Sequence, residues 1–329
     1  MLNHILQKSY LEIETIQKIL TINEKIRNTE ITFEKIQIDI PPLTAWKIFD
    51  HRATYSQLYV VYEIFIETLL SGYLSFIQKQ YKYADLADAI KQNHRKGISV
   101  VLDKIDRKNF KNLSELDVIE PYYKSLTNDS SYSLLSDAFT NHDKNINFSL
   151  LLSLFNRVNI RDTENWLTNH PIINDYFKSK GSHLNVTNEL NDFIDERNTV
   201  SHGEIDQIRG YSLLQESCTF IKSLCLSLYE LIIKNILEIK LANSIVKIDG
   251  TVEHNYQNNI SIIKFNNSNI SVDDTFYCLG SGRCYQFKIL SLKKNNLKVN
   301  EITVNGEEKI GVQSDVLIKE KCSIIRDLN

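Results

Sequence analysis

The sequence lacks the features that mark secreted, membrane-spanning and disulfide-stabilised proteins. Its N-terminus has no basic segment followed by an apolar one, and no window holds the roughly 18 apolar residues of a membrane span. The cysteines are odd in number and form no CxxC pair; they are Cys218, Cys225, Cys278, Cys284 and Cys322. We therefore expect reduced thiols, a cytoplasmic location and no contact with a membrane.

Motifs that bind metal ions are also missing. His254 lies near Cys278 and Cys284 in the sequence, but this spacing is too wide for a zinc site. The chain has no HxxxH or DxD motif and no cluster of carboxylates. We therefore expect neither a metal ion nor another cofactor.

Neither sign of charge is in excess, because the formal net charge is only −3 at pH 7. A protein that coats duplex DNA is usually basic, whereas a protein that acts on RNA at a single cleft need not be. The charge balance therefore argues neither for nor against a nucleic-acid partner.

Proline and glycine are scarce and unevenly distributed. All four prolines precede Asn243, whereas five of the ten glycines follow it. Apolar residues recur at helical spacing before this point and alternate in short runs after it. We predict a helical domain over residues 1–242, with a leading helix in 1–44 and a core bundle in 45–242, and then a small β-barrel over 243–329.

Long apolar stripes predict helices in the first domain. They cover about 2–27, 46–78, 82–108, 145–156, 186–203 and 211–241. Short alternating runs predict strands in the second domain, at about 244–248, 260–265, 275–279, 284–290, 297–304 and 316–318. Closure of these strands into a barrel removes exposed edges. The fold class is therefore a helical bundle followed by a β-barrel.

One helix face changes from apolar to polar along its length. Its two neighbouring rows are Leu190, Ile194, Arg197 and Ser201, and then Ile194, Asn198 and His202. Burial of a guanidinium and an imidazole on an apolar face is costly without compensation. A phosphodiester between these side chains would provide that compensation, so the pattern indicates a site for nucleic acid.

These residue types suit RNA cleavage. Histidine titrates closest to neutral pH, so His202 is the candidate general base for the 2′-hydroxyl. Arg197 can bind the phosphate in a bidentate manner and offset developing charge, and Asn198 can orient the phosphate or the histidine. Ser201 is a supporting candidate. The alternative interpretation pairs Arg197 with a neighbouring acidic residue and places His202 on the helix dipole.

The spacing of the motif also favours a dimer. Five residues at about 100° each separate Arg197 and His202 by roughly 140° around a straight helix. Two antiparallel copies would bring Arg197 of one chain close to His202 of the other. We therefore predict a homodimer that packs through the motif face.

The segment Arg197-Asn-Thr-Val-Ser-His202, which precedes a long last helix, resembles the R-N-x-x-x-H signature of HEPN ribonucleases. Residues 1–242 are similar to the RiboL-PSP-HEPN group in particular, with a leading amphipathic helix, a break and a helix of the Tyr59-Val-Val-Tyr-Glu63 type. The resemblance implies a four- or five-helix bundle, a homodimer and metal-independent cleavage to a 2′,3′-cyclic phosphate. It also implies a toxin or an antiphage-defence effector with an antitoxin or defence partner. A non-catalytic HEPN adaptor or RNA-binding scaffold is the alternative.

Other candidates are weaker. Glu63 matches a glutamate of the group, and it is expected either to hold Arg197 or to be a plain exposed side chain. Arg95 and Lys96 belong to a basic stretch that either follows an RNA backbone or is a solvated helix face.

The last domain resembles the second-domain barrel of translation GTPases in its strand order, in the turn Val272-Asp273-Asp274, and in the stretches 289–292 and 308–312. This resemblance implies a module that binds RNA, such as tRNA, or a protein. Arg283, Lys293 and Lys294 are its candidate RNA-binding residues. A plain dimerisation or stability module is the alternative.

Overall fold

The computed structural model describes residues 2–28, 41–107, 110, 112–181, 185–202, 207–280, 282–295 and 297–327, and for His202 the backbone alone. The chain divides into two compact units, Met1–Tyr229 and Glu230–Asn329. The last turns of the helix Tyr211–Ala242 therefore belong to the same unit as the strands. The boundary predicted at Asn243 lies inside this second unit.

Helices make up the first unit, which confirms the predicted helical domain of the fold class. The helices are α1 (Asn3–Asn28), α2 (Leu43–Gln80), α3 (Asp88–Asp103), α4 (Glu115–Leu126), α5 (Ser136–Thr140), α6 (Phe148–Arg157), α7 (Thr163–Asn169), α8 (Pro171–Lys180), α9 (Val186–His202) and α10 (Tyr211–Ala242). A 3₁₀ turn at Tyr83–Asp85 precedes α3.

The tyrosine-rich helix α2 provides a large part of the core. Leu58, Tyr62, Phe65 and Leu69 are almost fully buried along it. By length and composition α2 resembles a membrane span, which was not expected from the sequence, but 56% of its most apolar window is buried inside the protein. Both α1 and α9 pack against α2.

The helices that the sequence analysis missed are short or interrupted. Helix α4 begins at a capping box, in which Ser114 accepts a hydrogen bond from the Asp117 amide, and it contains Pro121. Helices α5, α7 and α8 are too short for a stripe of three or more turns to appear in the sequence. The predicted helix at 82–108 begins later, at Asp88, because the 3₁₀ turn precedes it.

A closed six-stranded β-barrel forms the second unit, as predicted. Its strands are β1 (Ile248–Tyr256), β2 (Ile260–Asn266), β4 (Thr275–Gly280), β5 (Arg283–Lys294), β8 (Glu307–Ser314) and β9 (Ser323–Ile325), and the order β4-β9-β1-β2-β8-β5 closes through β4–β5 pairing. Strand β6 (Leu297–Val299) pairs antiparallel with the end of β5, and β3 (Asn269–Ser271) pairs with β7 (Glu301–Thr303). Alternate side chains such as Ile263, Phe265 and Ile310 fill the interior.

Three strand positions differ from the sequence-based prediction. No strand begins at Ser244, because its positive φ of 55° places it in a left-handed turn after α10. The segment 316–318 is not a strand, and the run at 297–304 divides into β6 and β7 because these strands pair with different partners. Strands β8 and β9, and β1 beyond its first residue, were not predicted as strands.

Candidate active site

The motif helix α9 is anchored by its apolar beginning. The side chain of Asn185 accepts a hydrogen bond from the Asn188 amide at the start of the helix. Leu190 and Ile194 are only 0% and 4% exposed. They are therefore core residues of their own chain, so this part of the motif face turns inward. The homodimer through the motif face stays a prediction, and it would have to use other side chains.

The guanidinium of Arg197 lies over the ring of Tyr59, with Cζ 4.6 Å from the ring centroid. The Tyr59 hydroxyl donates to Glu63 Oε1 at 2.7 Å and accepts from the Ile146 amide at 3.3 Å. Burial, and secondly the hydrogen bond to Glu63, raises the pKa of Tyr59 well above its usual value. Tyr59 is thus a fixed neutral platform for the arginine.

Arg197 has no carboxylate within ion-pair distance in the described part of the chain. The adjacent Glu196 pairs with Arg209, whose Nε donates to it at 2.8 Å, and lies 3.3 Å from His51 Nε2. The alternative interpretation, in which a neighbouring acidic residue pairs with Arg197, is therefore not what the structure shows. Glu63 contacts Arg197 only indirectly, through Tyr59. Among the described residues, nothing of opposite charge pairs with Arg197, so its guanidinium can bind an anion such as a phosphate.

Asn198 contacts the loop between α5 and α6. Its side-chain oxygen accepts a hydrogen bond from the amide of Asn145. Both side chains are half-buried, so solvent or a ligand still reaches them. The motif residues Arg197 and Asn198 thus face different partners, one on α2 and one on the loop 141–147.

The same loop contains a histidine that the sequence analysis did not select. His142 Nδ1 donates to the Lys144 carbonyl at 2.7 Å. Its Nε2 lies 3.4 Å from Glu67 Oε1 and 3.8 Å from Glu63 Oε1, which are ion-pair distances rather than those of an aligned hydrogen bond. Contact with Glu67 raises the pKa of His142 above its usual value, against the effect of burial.

His202 is the last residue of α9, and its side chain lies outside the described part of the structure. Ser201 is exposed, and its hydroxyl donates to the Arg197 carbonyl at 2.9 Å. This bond is an ordinary contact within the helix, so it assigns no catalytic role to Ser201.

Three hollows surround the loop 141–147. One of about 580 Å³ is lined by Glu63, Glu67 and His142, and one of about 590 Å³ by Asn145, Asn191 and Asn198. The largest, of about 850 Å³, lies on the side of α3 and includes Lys96, Lys104 and Lys144 in its lining. The motif helix therefore borders open space on the side where the loop meets it.

The candidate RNA-binding residues differ in their surroundings. Arg95 and Lys96 are exposed on α3, but the neighbouring His94 is fully buried, and burial lowers its pKa to about 4. His94 is therefore neutral at physiological pH and belongs to the core. Lys108 and Lys111, which follow in the same basic stretch of the sequence, lie outside the described residues.

In the barrel, Arg283 Nε donates to Glu230 at 2.9 Å, Lys294 forms an ion pair with Glu308, and Lys293 is exposed. Binding of RNA by these residues stays a prediction.

The described residues contain no group of three or more His, Cys, Asp and Glu side chains that could hold a metal ion. The cysteines are buried free thiols. Tyr59, His142 and Asn145 are the contact residues of the site that sequence reasoning missed. Of these three residues, only Tyr59 had a signal in the sequence, because it lies four residues before Glu63 on one helix and side chains at that spacing meet.

Comparison with known proteins gives one match. The RiboL-PSP-HEPN family model matches residues 27–234, which begin at the end of α1 and end within α10. The match therefore includes α2, the loop 141–147 and the motif helix α9. No curated protein and no solved structure matches the chain significantly. The likeness of the barrel to translation GTPases stays a prediction.

Proposed function

Because the chain belongs to the RiboL-PSP-HEPN family, we propose that it is a metal-independent endoribonuclease that acts through Arg197, Asn198 and His202. HEPN domains are commonly ribonucleases, so family membership indicates a nuclease or RNA-related function. The cleavage chemistry and the roles of these three residues are our proposal.

One observation carries the proposal. The guanidinium of Arg197 lies on a neutral aromatic ring, without a carboxylate partner in the described residues, one position from the half-buried amide of Asn198. A structural arginine in this setting would normally be paired, because an uncompensated partly buried charge is costly. A bound phosphodiester would neutralise Arg197 through paired N–H donors.

The reaction would follow from these positions. His202 removes the proton from the ribose 2′-hydroxyl, and the 2′-oxygen then forms a bond to the adjacent phosphorus. The bond from phosphorus to the 5′-oxygen breaks, and that oxygen takes up a proton from the protonated histidine or from water. The products are a 2′,3′-cyclic phosphate and a 5′-hydroxyl. Arg197 stabilises the charge on the phosphorane-like transition state, and Asn198 orients the phosphate.

The test is cleavage of a single-stranded RNA by the full chain and by His202→Ala. We expect the substitution to lower the rate by about 10²- to 10⁴-fold while the melting temperature is unchanged. His254→Ala, in the barrel, serves as the matched control and should retain the wild-type rate. Full activity of a folded His202→Ala protein would contradict the proposal. Binding of RNA without cleavage by the wild type would favour the non-catalytic adaptor.

The biological setting is also part of the proposal. We propose a toxin or an antiphage-defence effector, in the cytoplasm, with an antitoxin or a defence protein as partner. The buried free thiols are compatible with that compartment. Expression of the wild type should arrest cell growth, and expression of His202→Ala should not.

A further inference from the structure

The loop 141–147 connects α5 to α6 and contacts the motif helix at Asn198. We infer that this loop positions Asn198 for RNA cleavage, with Asn145 as the contact residue and His142 as the anchor of the loop. Its effect on cleavage rests on the proposed function, whereas the contact itself is tested independently below.

The contact fixes which atoms of Asn198 face the substrate. Because Asn145 donates to the side-chain oxygen of Asn198, the Nδ2 group of Asn198 points away from the loop contact. In the described part of the chain this Nδ2 makes no hydrogen bond. Its two N–H groups are therefore available as donors to a phosphate oxygen. Without Asn145, the amide could rotate and present its oxygen, which would repel a phosphate.

The loop itself is held on α2. The Ile146 amide donates to the Tyr59 hydroxyl at 3.3 Å. Within the loop, His142 Nδ1 donates to the Lys144 carbonyl at 2.7 Å, and its Nε2 lies 3.4 Å from Glu67. The backbone on each side of Asn145 is thus fixed by a separate contact, so its amide is presented in one orientation.

Tyr59 connects this loop to the other motif residue. It accepts the hydrogen bond from Ile146, and its ring supports the Arg197 guanidinium. Helix α2 therefore orients Arg197 directly and Asn198 through the loop. Preorganised donors on a rigid support lower the reorganisation required in the transition state. Asn145 and His142 are thus positioning residues rather than catalytic ones.

A double-mutant cycle tests the contact on the full-length protein. We expect Asn145→Ala to lower kcat about fivefold, since the loss of one hydrogen bond costs about 1 kcal/mol, with little change in KM. In the Asn198→Ala background, Asn145→Ala should cause no further loss, because Asn145 acts only through Asn198. If the two losses in kcat multiply, the positioning role is wrong.

Two further variants separate positioning from damage to the fold. Asn145→Asp has the same shape but only acceptor atoms, so Asn198 must turn its N–H groups toward it. We expect a loss in kcat as large as for Asn145→Ala. His142→Asn keeps a donor near the Nδ1 position and should recover part of the activity that His142→Ala loses. A wild-type kcat for Asn145→Asp would overturn the role of Asn145 as the contact residue. Equal losses for the two His142 variants would overturn the role of His142 as the anchor of the loop.

The matched control is Asn23→Ala, which removes an amide that donates to Asp50 at 2.7 Å between α1 and α2. It should leave kcat within about twofold of the wild type.

If the wild type cleaves no RNA, the proposed function fails, and the contact is then judged by melting temperature alone. The shift for the double variant Asn145→Ala, Asn198→Ala should be smaller than the sum of the single shifts. Strictly additive shifts would show that the two side chains do not interact.

Discussion

Arg197 of the motif helix lies over the ring of Tyr59 from α2, with its Cζ 4.6 Å from the ring centroid. The two residues are far apart in sequence, so the direction of the guanidinium depends on the packing of α9 on α2. Tyr59 in turn is fixed by Glu63 and Ile146. The arginine is thus oriented by a second helix rather than by its own.

This relationship predicts that the ring of Tyr59 matters more than its hydroxyl. Tyr59→Phe keeps the cation–π contact and should lower the cleavage rate by less than about threefold, whereas Tyr59→Leu should lower it about tenfold. Rates of RNA cleavage at saturating substrate provide the measurement. Melting curves for both variants serve as the control, since loss of the buried hydroxyl contacts costs about 1 kcal/mol of stability. Equal rates for the two variants would contradict the role of the ring.

A composite site predicts complementation between inactive chains. Arg197 and His202 are about 140° apart around one straight helix, so one phosphate is best reached from two copies of the chain. Arg197→Ala and His202→Ala proteins should each be inactive, whereas their mixture should regain about a quarter of the wild-type activity, because half of the pairs carry one intact site. Unmixed samples are the control.

A mixture that remains inactive despite subunit exchange, or an active monomer, would rule out the composite site. Since Leu190 and Ile194 are buried in their own chain, the interface must use other residues around the motif.

Cleavage is expected to continue in excess EDTA. The proposed reaction uses the histidine base and arginine charge, and the sequence has no HxxxH or DxD motif. The measurement is the initial rate on a short unstructured RNA, with and without chelator, at constant ionic strength. The unstructured substrate controls for loss of RNA folding. A rate that disappears with EDTA and returns specifically with Mg²⁺ or Mn²⁺ would refute this prediction.

Because His94 is buried, we expect the protein to lose stability in mild acid. Burial lowers its pKa from 6.5 to about 4, so between these values the unfolded chain binds a proton that the folded chain does not. The stabilisation is present above pH 6.5 and is lost as the pH falls toward 4, by an amount on the order of 3 kcal/mol. Urea unfolding from pH 7 to 4.5 measures it.

The comparison variant is His94→Gln, which has no titrating group at this position. It should be less stable than the wild type at pH 7 but should show a shallower decline in acid. Parallel stability curves for the two proteins would show that His94 is not responsible for the pH dependence.

The sequence alone determined the elements whose patterns are long and local. The apolar stripes of α2 and α10, the alternation in β2 and β5, and the polar end of α9 all follow from side-chain periodicity along one element. The motif residues Arg197, Asn198 and His202 lie together on one helix, so their spacing and the resemblance to the R-N-x-x-x-H signature were enough to propose them. Their catalytic role stays a prediction.

Only the tertiary structure decided what surrounds the motif. Tyr59 and Asn145 come from segments that are distant in sequence, and local periodicity carries no information about which distant segments meet. The sequence offered Glu63 as a holder of Arg197, but in the folded chain Glu63 binds the Tyr59 hydroxyl instead. The sequence also did not decide whether Ile194 faces the core or a partner chain. In the folded chain, packing against the rest of the bundle buries it. Long-range packing fixes these contacts, since each requires two elements to be placed before any side chain can meet another.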